Sequence, residues 1–216
     1  MKPASIKVQA GTMRPDLVHN PAVLLLVTGT LVGLSLPLGK VAGDAGISPV
    51  IWAMVFSLGA CGMLFPVLLA KRRLVVAGGS IIRYVVISAL ISFVGPNMLL
   101  FSVIPHAGSG YTGLMFPLSP AFTLALAALS RLNMPKRGAL TGIAIGLVGA
   151  VIVSITRGAS PDAPPLMWIF AALSIPMFLA CGNIYRTLDW PDGALPDVLA
   201  FWSHVVAVTI YILLLF

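Results

Sequence analysis

Few side chains in this 216-residue chain can do chemistry, and most of its length is apolar. Lys40 and Arg186 each stand alone near the end of a long uncharged run. A cation there either snorkels to the interface or lines a vestibule that attracts an anionic or zwitterionic solute. Pro96-Asn97 interrupts another apolar run. Proline removes a backbone donor and frees a carbonyl; Asn97 brings donors and an acceptor to the same place. In lipid such a break survives only where protein or water satisfies the freed group. The pair therefore suits a substrate cavity, or a kink closed by a neighbouring helix. The richest polar stripe follows: Ser109, Tyr111, Thr112 and Ser119. Ser109 and Thr112 are three apart and Tyr111 and Ser119 eight apart, so each pair shares a helix face. Asn97 is expected opposite. Such a stripe lines a solute path or hydrogen-bonds between helices.

His106 and His204 titrate near neutrality and suit pH coupling, or simple solvation and packing. A hydrolase would need Ser109 and His204 within hydrogen-bond reach on different helices. Ser109 falls at one membrane face and His204 about seven residues into a span from the other, so that pairing is not expected. Cys61 and Cys181 are isolated within apolar runs, without metal-ligand or CxxC spacing, and read as small buried hydrophobes. The chain has six Asp and no Glu. No phosphate loop, paired carboxylates or zinc spacing occurs, and neither a metal nor a cofactor is expected.

These residues must be held by helices in lipid. Hydrophobic residues make up 59% of the chain and charged ones 9%, against about a quarter charged in soluble domains. That balance excludes disorder, a secreted disulfide scaffold and nucleic-acid partners. A crossing needs about 20 apolar residues. Uncharged runs cover 17–39, 45–70, 84–130, 138–156, 163–185 and 198–216. The third is too long for one crossing and must fold back at Pro105-His106-Ala107-Gly108-Ser109-Gly110. The fold class is all-α, a polytopic membrane protein with seven transmembrane helices. With the N-terminus in the cytoplasm, Lys2, Lys7, Arg14, Lys71, Arg72, Arg73, Arg83, Arg131, Lys136, Arg137 and Arg186 lie inside, and Lys40 and Arg157 outside. This follows the positive-inside bias. The Gly29/Gly33 and Gly142/Gly146 pairs are GxxxG spacings that let helices approach closely.

An internal echo joins the Lys40 region to the Arg186 region. In each, a span ends on one basic residue, followed by a short hairpin and a proline that opens the next span: Pro49 in one case, Pro196 in the other. The two lie five spans apart, an odd number that inverts orientation, as in the inverted repeats of secondary transporters. The chain resembles the ten-helix EamA-type members of the drug/metabolite transporter superfamily. The resemblance rests on Gly29 to Lys40, Gly95-Pro96-Asn97, Pro105 to Gly108, Gly113 to Pro120 and Gly142 to Ala150. It implies a tail at 1–21, a five-helix repeat at 22–157, an external linker at 158–165, and the first two helices of an inverted second repeat at 166–216. Many relatives carry an acidic residue where this chain has Asn133.

The resemblance also implies a secondary permease for small polar or amphiphilic metabolites, exporting by alternating access, with no ATP site and no covalent chemistry. Lys40, Pro96, Asn97, Tyr111, Thr112, Ser119 and Arg186 are its expected solute-binding residues. The expected partners are the lipid bilayer, a small-molecule solute and, for an exposed polar stripe, a second copy of the chain. The expected location is the plasma membrane, as for a bacterial inner-membrane protein. Ending at the seventh span suggests a truncated product or record, and the alternative is a non-transporting remnant acting as a helix bundle or binding a partner. The loop charges make one direct prediction. A reporter active only outside the cytoplasm should be active when fused after Ser160 and silent when fused after Arg73; the reverse pattern would overturn the orientation.

Overall fold

A computed structural model describes residues 20–74, 79–130, 137–158 and 163–216. All regular structure among them is helical. The helices are α1 (Pro21–Asp44), α2 (Pro49–Ala70), α3 (Gly79–Ala107), α4 (Ser109–Leu129), α5 (Arg137–Gly158), α6 (Leu166–Leu188) and α7 (Pro196–Leu215). Six are long and apolar enough to cross a membrane. In α5 the apolar stretch is shorter, Leu140–Thr156. The seven expected spans are therefore present. Residues up to Ser35 and residues from Leu36 onward form separate compact units. The described part of the first is helical with exposed apolar side chains, Leu25 and Leu26 among them.

In the second unit the boundaries follow from local chemistry. Ser48 caps α2 by accepting from the Ile51 N–H at 3.3 Å, and Pro49 takes the first turn, where its missing N–H costs nothing. Pro196 opens α7 in the same way. The expected fold-back is at Gly108, whose φ of 86° is open to glycine at little cost. It separates α3 from α4 with no further loop. Helix α1 runs past Gly39 to Asp44, so Lys40 lies in its last turns and not at its end.

Helix α3 is not uniform. Gly79–Ser88 is α-helical, Ala89–Val94 is a π-helix, and Gly95–Ala107 is α-helical again. Pro96 follows directly. In an α-helix its ring would press on the carbonyl four residues back, at a cost of about 3 kcal/mol. The wider π turn relieves that clash, and Gly95 N–H bonds the Leu90 carbonyl five residues back. The Phe93 carbonyl, in the disturbed turn, accepts from the Tyr211 hydroxyl of α7 at 3.3 Å. Helix α7 thus supplies one donor to this turn, while the carbonyl that Pro96 itself leaves without a donor lies one or two residues earlier, at Ser92 or Ile91.

Packing centres on α3. Helix α6 lies against α3 and α4, α7 against α2 and α3, and α5 against α4. Close approach within this unit depends on glycine at particular positions. A Cβ at Gly142 or Gly146 would meet open space. At Gly95 it would come within 2.8 Å of the Phe178 ring, at Gly182 it would collide with the Ser92 hydroxyl, and at Gly43 it would reach Pro105 at 2.7 Å. The first two hold α6 against the π segment, and the third seats the end of α1 on α3.

Candidate functional site

The first turns of α3, the last turn of α6 and the first turns of α7 meet at one end of the bundle. Lys71, Arg72, Arg73, Arg83 and Arg186 gather at this basic end. Between the three helices is a cavity of about 330 Å³. Tyr84, Ser88 and Phe93 of α3 form one wall; Leu199, Ala200 and Ser203 of α7 form another. Arg186 of α6 and Trp190 of the following loop complete it. The π segment lies at the inner part of this wall, so the backbone break shapes the cavity without lining it through Pro96.

The cavity's polar groups are few. Ser88 is buried, and its hydroxyl has no hydrogen-bond partner among the described residues. Ser203 is equally buried. Arg186 donates from Nε to the Gly182 carbonyl at 3.3 Å and from Nη2 to Asn183 Oδ1 at 2.9 Å. Asn183 in turn donates from Nδ2 to Thr123 Oγ1 of α4 at 3.3 Å. The guanidinium is held in place by its own helix, and among the described residues it makes no ion pair. Deeper in the bundle, the buried His204 packs against Phe93 with ring centroids 4.1 Å apart, its Nδ1 unpartnered among the described residues.

A second set of groups adjoins the cavity through Tyr84 and Trp190. Arg83 of α3 grips Asp189, just beyond α6, with N···O distances of 2.7 and 3.0 Å. Tyr185 donates to the same carboxylate at 2.7 Å. Tyr84 stacks on Tyr185 and meets Trp190 edge-on, with centroids 5.5 and 5.9 Å apart. Lys71 and Asp197 tie α2 to α7 at 3.8 Å. Two of the cavity's aromatic residues thus belong to the latch that joins α3 to α6.

The other expected site residues lie elsewhere. Lys40 pairs with Asp44 on its own helix, and both are substantially exposed. Pro96 is buried, and half-buried Asn97 lies beside the Tyr211 hydroxyl together with Ser57. Tyr111 is buried and meets Ser154 of α5 at 3.3 Å. Thr112 bonds back to the Gly108 carbonyl at 2.7 Å. Ser119 is half-buried, beyond a 3-10 turn at Phe116–Leu118 that breaks the register between it and Tyr111. Of the α4 stripe, Tyr111 meets α5 and Thr112 bonds within its own helix, and Arg186 alone of the seven lines the cavity. Ser88, Ser203 and Tyr84 were not singled out by sequence, and Trp190 was expected only as an interfacial aromatic at an inner helix end. The available signal was Ser88 and Ser92 four apart in an apolar run, a spacing that places both on one face.

The latch carries a pH dependence. Hydrogen bonding from Tyr185, then the charge and hydrogen bonds of Arg83, hold the Asp189 carboxyl below its ordinary value. Its contribution to stability is therefore complete above the ordinary carboxylate range and is lost as pH falls through the lowered value. Asp189→Asn should unfold at a lower temperature than the parent. The difference should be constant between about pH 6 and 8 and should close below about pH 4. A difference that widens on acidification would contradict the latch.

The description EamA-like transporter family matches residues 20–155, which cover α1 to α4 and nearly all of α5. No curated protein and no solved structure matches the chain significantly. The match takes in more than half of the sequence and agrees with an all-helical, multi-pass membrane architecture. The chain belongs to the EamA-like transporter family, within the drug/metabolite transporter superfamily.

Proposed function

We propose that this protein is a secondary-active permease that moves small polar or amphiphilic solutes by alternating access, in the direction of export, and that the cavity between α3, α6 and α7 is its solute site. The observation that carries the reading is the composition of that cavity's walls. One wall comes from α3, inside the family-matched region, and the others from α6 and α7, beyond it. We read α1 to α5 (22–157) as the first repeat, 158–165 as the linker, and α6 and α7 (166–216) as the opening helices of an inverted second. Solute sites of inverted-repeat carriers lie between the repeats, where helices are broken. The π segment of α3 is such a break.

The loop charges support placing the basic end in the cytoplasm, at a plasma membrane. The cavity then loads from the cytoplasmic side, as export requires. The latch of Arg83, Tyr185 and Asp189 joins α3 to α6 beside the cavity, and its opening and closing would gate entry. Solute passage calls only for reversible binding and rearrangement, with no bond made or broken.

Labelling tests the site. In a background without Cys61 and Cys181, a cysteine at Ala200 should react readily with a small water-soluble maleimide. One at Leu213, an exposed apolar position on the same helix that this reading puts in hydrocarbon, should react slowly, because the thiolate does not form there. Reconstituted protein with a complete second repeat should show saturable flux of at least one solute from a radiolabelled metabolite panel, and that solute should slow the Ala200 reaction. Equal labelling at both positions, or flux without protection, would overturn this assignment of the site.

A further inference from the structure

The charge inventory of the cavity narrows the solute class. Arg186 is the one charged residue among its lining, and no carboxylate is among them. The nearest acid along α6, Asp189, is already held by Arg83 and Tyr185. A half-buried guanidinium without a counter-ion is costly in a low-dielectric site, and an anion from outside offsets that cost. Its orientation is set beforehand. Nε and one Nη2 hydrogen are held by Gly182 and Asn183, and Nη1 bonds nothing among the described residues. The guanidinium's planar fork suits a carboxylate.

Ser88 supplies the second polar contact. Its hydroxyl is buried in the cavity wall within reach of the Tyr84 side chain four residues earlier on the same helix, and it makes no well-aligned hydrogen bond among the described residues. Such a group normally finds one, and a solute oxygen would satisfy it. The remaining surface is apolar or aromatic: Tyr84, Phe93, Trp190 and Leu199. A volume of about 330 Å³ is at the small end of ligand pockets, which run from about 300 to 1,000 Å³.

We propose that Arg186 and Ser88 form an anion subsite in this cavity, and that its ligand is a small organic monocarboxylate with an apolar or aromatic body and no ammonium group. This rests on reading the cavity as the solute site. A zwitterionic amino acid satisfies Arg186 equally well, but it brings an ammonium that meets no carboxylate on these walls. Desolvating that unpaired cation disfavours it. A cationic amine adds repulsion from Arg186.

The test uses four probes of similar body: phenylacetate, 2-phenylethanol, 2-phenylethylamine and phenylalanine. Binding to the purified full chain is read as protection of a cysteine at Ala200 from maleimide. Phenylacetate should protect at a concentration at least about tenfold below each of the others, the scale of one charge-assisted contact. Arg186→Gln should remove that preference, and Arg186→Lys should retain part of it. Ser88→Ala should weaken phenylacetate several-fold while leaving the order of the probes unchanged. The ranking in the Ala200→Cys reporter needs no change at Arg186, so misfolding of Arg186→Gln does not rescue the proposal. Protection by phenylalanine or 2-phenylethylamine at equal concentration, protection by none of the four, or an anion preference that survives in folded Arg186→Gln would each overturn it. Those results leave the permease reading standing wherever flux of another solute is measured. Conversely, phenylacetate protection without flux of any solute would refute transport and keep the subsite.

Discussion

Pro96 has no N–H to give, and the organisation of α3 follows from that one missing donor. A span in hydrocarbon must satisfy its backbone internally. An α-helical turn around Pro96 would leave a carbonyl without its donor and the ring in collision. The π segment Ala89–Val94 removes the collision, and the Tyr211 hydroxyl supplies a donor to the disturbed turn. The widened turn carries Ser92 towards α6, where only glycine fits at position 182. It also carries Phe93 into the cavity wall and against His204. Helices α6 and α7 are thus both fitted to the broken part of α3.

The second organising term is the distribution of charge. Asp44, Asp189 and Asp197 each meet a Lys or Arg at a helix end, with side chains between 23% and 57% exposed. Exposed pairs of this kind contribute about 0–1 kcal/mol each. Their role here is positional: Arg83–Asp189 and Lys71–Asp197 fix which helix ends meet at the basic end. Arg186 lies among these pairs and belongs to none of them. Its hydrogen bonds go to neutral groups on its own helix. Among the described residues Arg186 has no counter-ion, whereas Lys40 is paired with Asp44.

Much of the fold was legible in the sequence because lipid imposes few solutions. Uncharged runs of sufficient length mark helices, and the Pro105–Gly110 interruption marks the hairpin at Gly108. The prolines at 49 and 196 open α2 and α7 as their positions suggest. The candidate cavity was far less legible. Tyr111 and Ser119 share a face only if α4 is one continuous helix, and the 3-10 turn at Phe116–Leu118 breaks that count. The polar side chains of α4 could also be satisfied locally, as Thr112 is by Gly108, and periodicity does not reveal that. Ser88 and Ser203 are ordinary residues in apolar runs; only the packing of three helices shows that they face one space. Gly95 and Gly182, which make the close contacts between α3 and α6, lie in no GxxxG spacing, and only the packing reveals them.

The most direct measurement of this dependence is the reactivity of a cysteine at Ala200 in the presence and absence of Pro96. With the backbone donor restored in Pro96→Ala, α3 should relax towards a continuous α-helix and rotate Phe93 and Ser88 out of the cavity wall. Maleimide labelling at Ala200 should then fall by about tenfold or more, while circular dichroism and detergent-phase elution show a helical, monodisperse protein. Unchanged labelling in a folded Pro96→Ala variant would contradict the account, because the cavity would then exist independently of the break in α3.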